Sequence, residues 1–157
     1  MMPQNARRQR ERRLRPAAQG AFPRARPFYM PAPVPGSKPS VLLIDDEPNI
    51  LELMRVGLEK DYEIETAASA EEATLLTGTR QYDLIVCDQV MPGQNGLEFL
   101  MRSAERHPGT RRIMLTGYIN PELLSRAVPL AGLSACILKP AHPDELKRAI
   151  QKALAAK

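Results

Sequence analysis

Cysteine is scarce in this sequence, with only Cys87 and Cys136 among 157 residues. Two cysteines do not make a secreted disulfide framework, so the fold is expected to stand without cross-links, in a reducing cytosol. No apolar run approaches the ~18 residues that a bilayer-crossing helix needs. Histidine is almost missing too. His107, before Pro108-Gly109, reads as a helix-end residue, and His142 as the start of the last helix; neither has neighbours that suggest a metal or a phosphorelay histidine. A secretory signal is not expected either, because Pro16-Ala17-Ala18-Gln19-Gly20 follows the first basic residues where an apolar block would be needed. The setting these absences point to is cytoplasmic.

What the sequence does contain is charge, unevenly placed. The formal net charge is +4, yet residues 1–38 hold nine Lys+Arg and one acid, a net of +8, while residues 39–157 hold thirteen and seventeen, a net of −4. Eight of the fifteen prolines fall in the first 39 residues. The pI near 9.3 therefore belongs to the N-terminal part and does not make the rest a nucleic-acid binder. Residues 1–38 are expected to form a disordered Arg/Pro-rich tail. Arg7, Arg8, Arg10, Arg12, Arg13 and Arg15 lead into a proline-rich run from Pro23 to Pro35, with too little apolar surface to bury. Six clustered guanidiniums can hold nucleic acid or an anionic membrane by charge alone. A solvated tail, or sequence upstream of a true start at Met30, is the plainer reading.

Residues 39–157 read as one domain built from five repeats of strand then helix. Val41-Leu42-Leu43-Ile44 is a short apolar, partly β-branched run that ends in acids, as a strand buried on both faces would. Similar runs recur at Tyr62–Thr66, Asp83–Cys87, Arg112–Leu115 and Ser134–Leu138. Between them, Ser69 with Glu72 and Asn95 with Glu98 have capping-box spacing. Leu97, Leu100, Met101 and Ala104, and later Leu146, Ala149, Ile150 and Ala153, recur at helical intervals. Pro48 and Pro121 suit first helical turns. Pro129 is expected to cut the fourth helix short. This alternation argues for α/β architecture, a parallel sheet with helices on both faces.

In such sheets ligands bind beyond the carboxyl ends of the strands. The residues that follow the strands are Asp45, Asp46 and Glu47 after the first, Asp88 after the third, Thr116-Gly117 after the fourth, and Lys139-Pro140 after the fifth. Three carboxylates, a hydroxyl and an ammonium would meet on one rim. Two unit charges ~4 Å apart repel by about 4 kcal/mol near a protein surface, so one carboxyl protonates or a cation enters. Hard oxygen ligands with room for water and phosphate suit Mg²⁺. A carboxylate so placed can act as a nucleophile and become an acyl phosphate. Lys139, Thr116 and the unobstructed Gly117 amide are then donors for the transferring oxygens.

These motifs, together with Met91-Pro92-Gly93 after Asp88, resemble the receiver domain of bacterial two-component response regulators over residues 40–156, in the family's order and spacing. The resemblance implies a flavodoxin-like (βα)5 doubly wound sheet with strand order 2-1-3-4-5. It implies that Asp88 accepts a phosphoryl group from a histidine kinase, that Asp46, Asp88 and the Val90 carbonyl ligate Mg²⁺, and that Asp45 acts through a water. Lys139 would contact the phosphoryl oxygens, and Thr116 would swing toward them. Met91-Pro92-Gly93 and Gly96 would shape the loop. Cys87 and Cys136 would lie on strands separated by a third, too far apart to bridge. Arg111-Arg112, on the opposite rim, are expected to be solvated. The methionines of the domain, apart from Met91, fit core positions.

Two departures from the family pattern stand out. Receivers usually carry an aromatic residue three positions before Lys139 and often one after Pro140; here these are Cys136 and Ala141, and Tyr118 is left to supply a ring. Val90 and Tyr118 flank the expected phosphate, so a long-lived acyl phosphate is expected. The function expected is a signalling phospho-acceptor rather than an enzyme: a stand-alone receiver, since the last helix ends at Lys157. Its output would be a downstream protein contact, onward phosphotransfer or use as a phosphate sink, and the expected surface is the fourth helix, fifth strand and fifth helix, through which a homodimer could also form. The competing readings are a Mg²⁺-dependent haloacid-dehalogenase-like phosphohydrolase, a degenerate receiver acting as an interaction module, and a flavin-binding module. The hydrolase needs an acid two residues after its nucleophile, where this chain has Val90. The flavin site needs a hydroxyl-rich phosphate loop, where Asp45-Asp46-Glu47-Pro48 would repel.

Overall fold

Five short runs, rich in β-branched and aliphatic residues, become five parallel strands: β1 (Ser40–Ile44), β2 (Glu63–Ala67), β3 (Leu84–Asp88), β4 (Arg111–Thr116) and β5 (Ala135–Leu138). Each is followed by a helix: α1 (Pro48–Leu58), α2 (Ala70–Thr79), α3 (Gly96–Arg106), α4 (Pro121–Ala131) and α5 (Pro143–Ala155). The computed structural model describes residues 36–156. The expected tail lies, through residue 35, outside the described residues. The sheet order is β2-β1-β3-β4-β5, as the resemblance implied. Strand limits differ from the sequence reading by one residue at most ends. The shift that matters is at β3, which takes in Asp88 as its last residue.

Alternation along the strands sorts the core into two layers. Val41, Leu43, Leu84, Val86, Ile113 and Leu115 face Met54 and Leu58 of α1 and Leu146 and Ile150 of α5. Leu42, Ile44, Ile85, Cys87 and Met114 face Ala70 and Ala73 of α2 and Phe99 and Leu100 of α3. β1 and β3 are buried along their whole length, as central strands covered on both faces must be. Met91, set apart from the core in the sequence reading, is buried in the second layer. Cys87 and Cys136 are both free, and Met114 pairs with each of them from the strand between.

The helices start where their caps say they should. The Ser69 hydroxyl accepts from the Glu72 amide at 3.1 Å while the Glu72 carboxylate accepts from the Ala68 amide at 2.7 Å. Asn95 caps α3 by accepting from the Leu97 amide at 2.9 Å, and Asn120 caps α4 by accepting from the Glu122 and Leu123 amides at 3.0 and 3.3 Å, neither with a returning carboxylate bond among the described residues. Two expectations are corrected. Pro129 does not cut α4, which runs through it to Ala131. A proline in the last turn removes one intrahelical bond, and the actual stop is Gly132, left-handed at φ 58°, after which the Leu133 amide closes on the Val128 carbonyl at 3.1 Å. Arg112 is not solvated: it is 3% exposed, and its guanidinium donates to the Ser103 carbonyl at 3.0 Å and to the His107 carbonyl. The Ser103 and His107 carbonyls at the end of α3 each accept one backbone amide, from His107 at 2.8 Å and Thr110 at 3.1 Å, and a long cationic side chain from the neighbouring strand adds a second donor to both. Burial pushes its pKa below the ordinary guanidinium value.

Candidate functional site

The carboxyl ends of β1, β3, β4 and β5 form one rim, and the register brings their terminal residues level. Ile44 pairs with Cys87, Asp88 with Leu115, and Thr116 with Leu138. Asp45, Asp88, Thr116 and Lys139, each at or just past a strand end, are thereby gathered from four separate segments. One carboxylate oxygen from each of Asp45, Asp46 and Asp88 lies within 4.8 Å of the others. Asp45 and Asp88 are buried, at 2% and 5% exposure, and Thr116 at 2%.

Lys139 ties the cluster together. Its Nζ donates to Asp45 Oδ2 at 3.0 Å and to Asp88 Oδ2 at 3.1 Å, with Glu47 Oε1 3.8 Å away. The other oxygen of Asp45 accepts from the Glu47 amide at 2.9 Å, which fixes the carboxylate plane. Asp88 Oδ1 faces the Val90 amide at 3.5 Å. Burial raises the Asp88 pKa above its ordinary value, with the Asp45 charge adding to the rise, against the pull of the Lys139 hydrogen bond and charge. Burial alone would lower the Lys139 ammonium, but its hydrogen bonds to Asp45 and Asp88 outweigh that and hold its pKa above the ordinary value. The ion pair is therefore firm, while ionised Asp88 costs the fold stability at neutral pH; that cost fades as the pH falls through its folded pKa. The Cys87 thiol beside it is pushed up by burial and by the Asp88 and Asp45 charges, which keeps it unreactive.

The rim is open to a ligand where it must be. Around Gly117 nothing comes within 4 Å of the place a Cβ would occupy. Gly96, at the start of α3, is closed on the opposite side: a Cβ there would lie 1.8 Å from the Asp88 carbonyl and 2.9 Å from Cys87 Sγ. Only glycine lets α3 begin this close to the end of β3. Val90 and Tyr118 are 72% and 75% exposed at the mouth of the site. Cys136 is half-buried and packs on the second core layer, in the position where the family usually carries a ring.

One participant escaped the sequence reading. Gln89 accepts the Thr116 hydroxyl proton on its side-chain oxygen. The signal that could have found it is register: once Asp88 stands opposite Leu115, the next residue stands beside Thr116. Neither an isolated glutamine nor its spacing announces that.

Buried acids bridged by a lysine, on the strand-end rim of this sheet order, define a receiver-like class of α/β domain, and comparison with known proteins agrees. Residues 41–151 match the family model described as the response regulator receiver domain, and the chain belongs to that family. The hydrogenase transcriptional regulatory protein HoxA of Cupriavidus necator is 38% identical over 117 residues, which cover 74% of this chain and 24% of that protein. The chain thus spans about a quarter of the length of the first curated relatives it matches. An uncharacterized 14.6 kDa protein of Leptolyngbya boryana is 34% identical over 115 residues, 71% of this chain and 87% of that one. The crystal structure of a CheY-like response regulator receiver domain protein from Methanospirillum hungatei superposes with a TM-score of 0.70 at 34% identity, covering 75% of this chain and 94% of that one. Receiver domains serve two-component phosphorelay signalling and generally bind Mg²⁺ at such an acidic pocket. The donors present fit that ion: oxygen ligands only, three of them carboxylates, two of the three buried.

Proposed function

We propose that the chain takes a phosphoryl group from a histidine kinase onto Asp88 and passes the signal on through Thr116 and Lys139. The observation that carries this reading is the Lys139 bridge across Asp45 and Asp88, at 3.0 and 3.1 Å, beside a third carboxylate. In the transfer, an Asp88 oxygen attacks phosphorus as the bond from phosphorus to the donor imidazole breaks. The electron pair returns to that nitrogen, and the acyl phosphate remains on Asp88. Mg²⁺, held by Asp46, Asp88 and the Val90 carbonyl and by Asp45 through water, would neutralise charge on the transferring oxygens. Lys139 keeps one donor on Asp45 and turns another from Asp88 to a phosphoryl oxygen. Thr116 supplies a hydroxyl from the end of β4, and the open Gly117 amide stands next to it.

Output belongs to the same proposal. Thr116 and Lys139 lead into α4, β5 and α5, where a downstream protein, a phosphotransfer protein or a second copy of the chain would read the change. Tyr118, exposed at rest, is the ring available to a switch that has Cys136 in the usual aromatic place. A receiver acting by itself is supported by the Leptolyngbya boryana protein, of which the match covers 87%, whereas HoxA carries much further sequence. A cytoplasmic setting suits the kinase partner and the two free cysteines. Among the described residues no helix is long and apolar enough to cross a membrane.

Mass spectrometry after treatment with acetyl phosphate and Mg²⁺ tests the reading. The expected result is one acid-stable, base-labile phosphoryl addition per chain, absent from Asp88→Asn and from samples with EDTA. Catalytic release of phosphate from many substrates would favour the phosphohydrolase instead, and no addition at all would leave a degenerate receiver.

A further inference from the structure

Gln89 lies between the acceptor and the loop that follows it, and its main chain is pinned on both sides. Its amide donates to the Leu115 carbonyl at 2.8 Å, and its carbonyl accepts from the Gly96 amide at 2.9 Å. The side chain is thereby aimed across the end of the β3–β4 pair at Thr116. There the Thr116 hydroxyl has two acceptors within reach, the Gln89 side-chain oxygen and the Tyr118 carbonyl at 2.8 Å, and it accepts from the Tyr118 amide at 3.2 Å. At 2% exposure the hydroxyl has little access to bulk water.

We infer that Gln89 is a positioning residue that latches the Thr116 hydroxyl in the resting state, so that its bond to Thr116 must break before Thr116 can serve a phosphoryl group on Asp88. This rests on the phospho-acceptor reading of the site. The argument is one of proton count. A threonine hydroxyl has a single proton to give, so a bond to a phosphoryl oxygen excludes the bond to Gln89. Two ties between side chains hold the resting site, Lys139 on Asp45 and Asp88, and Gln89 on Thr116. The first gains a stronger partner when phosphate arrives, whereas the second is lost. Gln89 therefore sets how far the resting state resists activation, and a side chain without an acceptor at this position relaxes that resistance.

The test uses the full chain with Mg²⁺ and beryllium trifluoride, which imitates a phosphoryl group on a carboxylate, in an NMR titration that follows the backbone amides of Asp88 and Gly117. Gln89→Met keeps the length and loses the polar end. It should bind beryllium trifluoride about 3- to 10-fold more tightly, the worth of one neutral hydrogen bond. In a Thr116→Val background the same substitution should change nothing, which separates a latch from a general packing effect. Equal effects in both backgrounds, or no tightening by Gln89→Met, overturn the inference while leaving the receiver reading intact. Failure of the unaltered chain to bind beryllium trifluoride overturns the receiver reading, and the latch with it. Gln89→Leu repeats the measurement should Gln89→Met not fold.

Discussion

At the residue scale, Val90 and Tyr118 are the side chains expected to set how long a phosphoryl group on Asp88 would last. They stand 72% and 75% exposed, two residues beyond Asp88 and Thr116, and the Val90 side chain has no polar atom with which to orient a water for attack on phosphorus. An amide in place of Val90 could. Val90→Asn is expected to speed loss of the phosphoryl group several-fold, below the ~100-fold that a well-placed general base supplies. Decay of the mass adduct after removal of acetyl phosphate gives the rate, and an unchanged rate would count against shielding by Val90. The acids, Thr116 and Lys139 were legible in the sequence because parallel α/β sheets place chemistry where strands stop, and each of these residues follows an apolar run. Gln89 was not, because its part depends on which residue of β4 stands beside it, and register leaves no mark on a single sequence.

At the scale of elements, Arg112 shows why the opposite rim was harder to read. A basic pair before an apolar run looks like a solvated strand start, and for Arg111, which reaches the Ala156 carbonyl at the surface, that is fair. Arg112 pairs with Ile85 on the inner side, and its guanidinium adds a donor to the Ser103 and His107 carbonyls at the end of α3. What sequence could not show was that the end of α3 would lie within reach of the Arg112 side chain, with room for a second donor on those carbonyls. The α4 reading failed for a related reason: Pro129 looked decisive, but Gly132 with its left-handed φ ends the helix. Arg112→Ala should cost on the order of 2–3 kcal/mol in urea unfolding, from two charge-assisted hydrogen bonds and the buried stem. Phosphorylation of the folded variant should be unaffected, since Arg112 lies at the far end of β4 from Thr116. Unchanged stability would show that desolvation of the guanidinium cancels what its bonds supply.

Charge separates the whole molecule into parts with different chemistry. The family match begins at Val41 and the −4 of residues 39–157 includes the acid rim, whereas the +8 lies in residues 1–38. The domain's net charge opposes nucleic acid and anionic lipid, so affinity of the chain for polyanions is expected to reside in the first 38 residues. If all six arginines from Arg7 to Arg15 engaged duplex phosphates, log affinity would fall against log salt with a slope of about −5. A chain lacking residues 1–38 should show no binding to duplex DNA or to phosphatidylserine vesicles at low salt, while taking the phosphoryl group on Asp88 at the rate of the full chain. The phosphorylation half follows from the core: both layers are built from residues between Val41 and Ala153, and every side chain at the rim comes from within that range. Retention of polyanion binding by the shortened chain would move that activity onto the domain, and slower phosphorylation would make residues 1–38 part of the encounter with the phosphodonor.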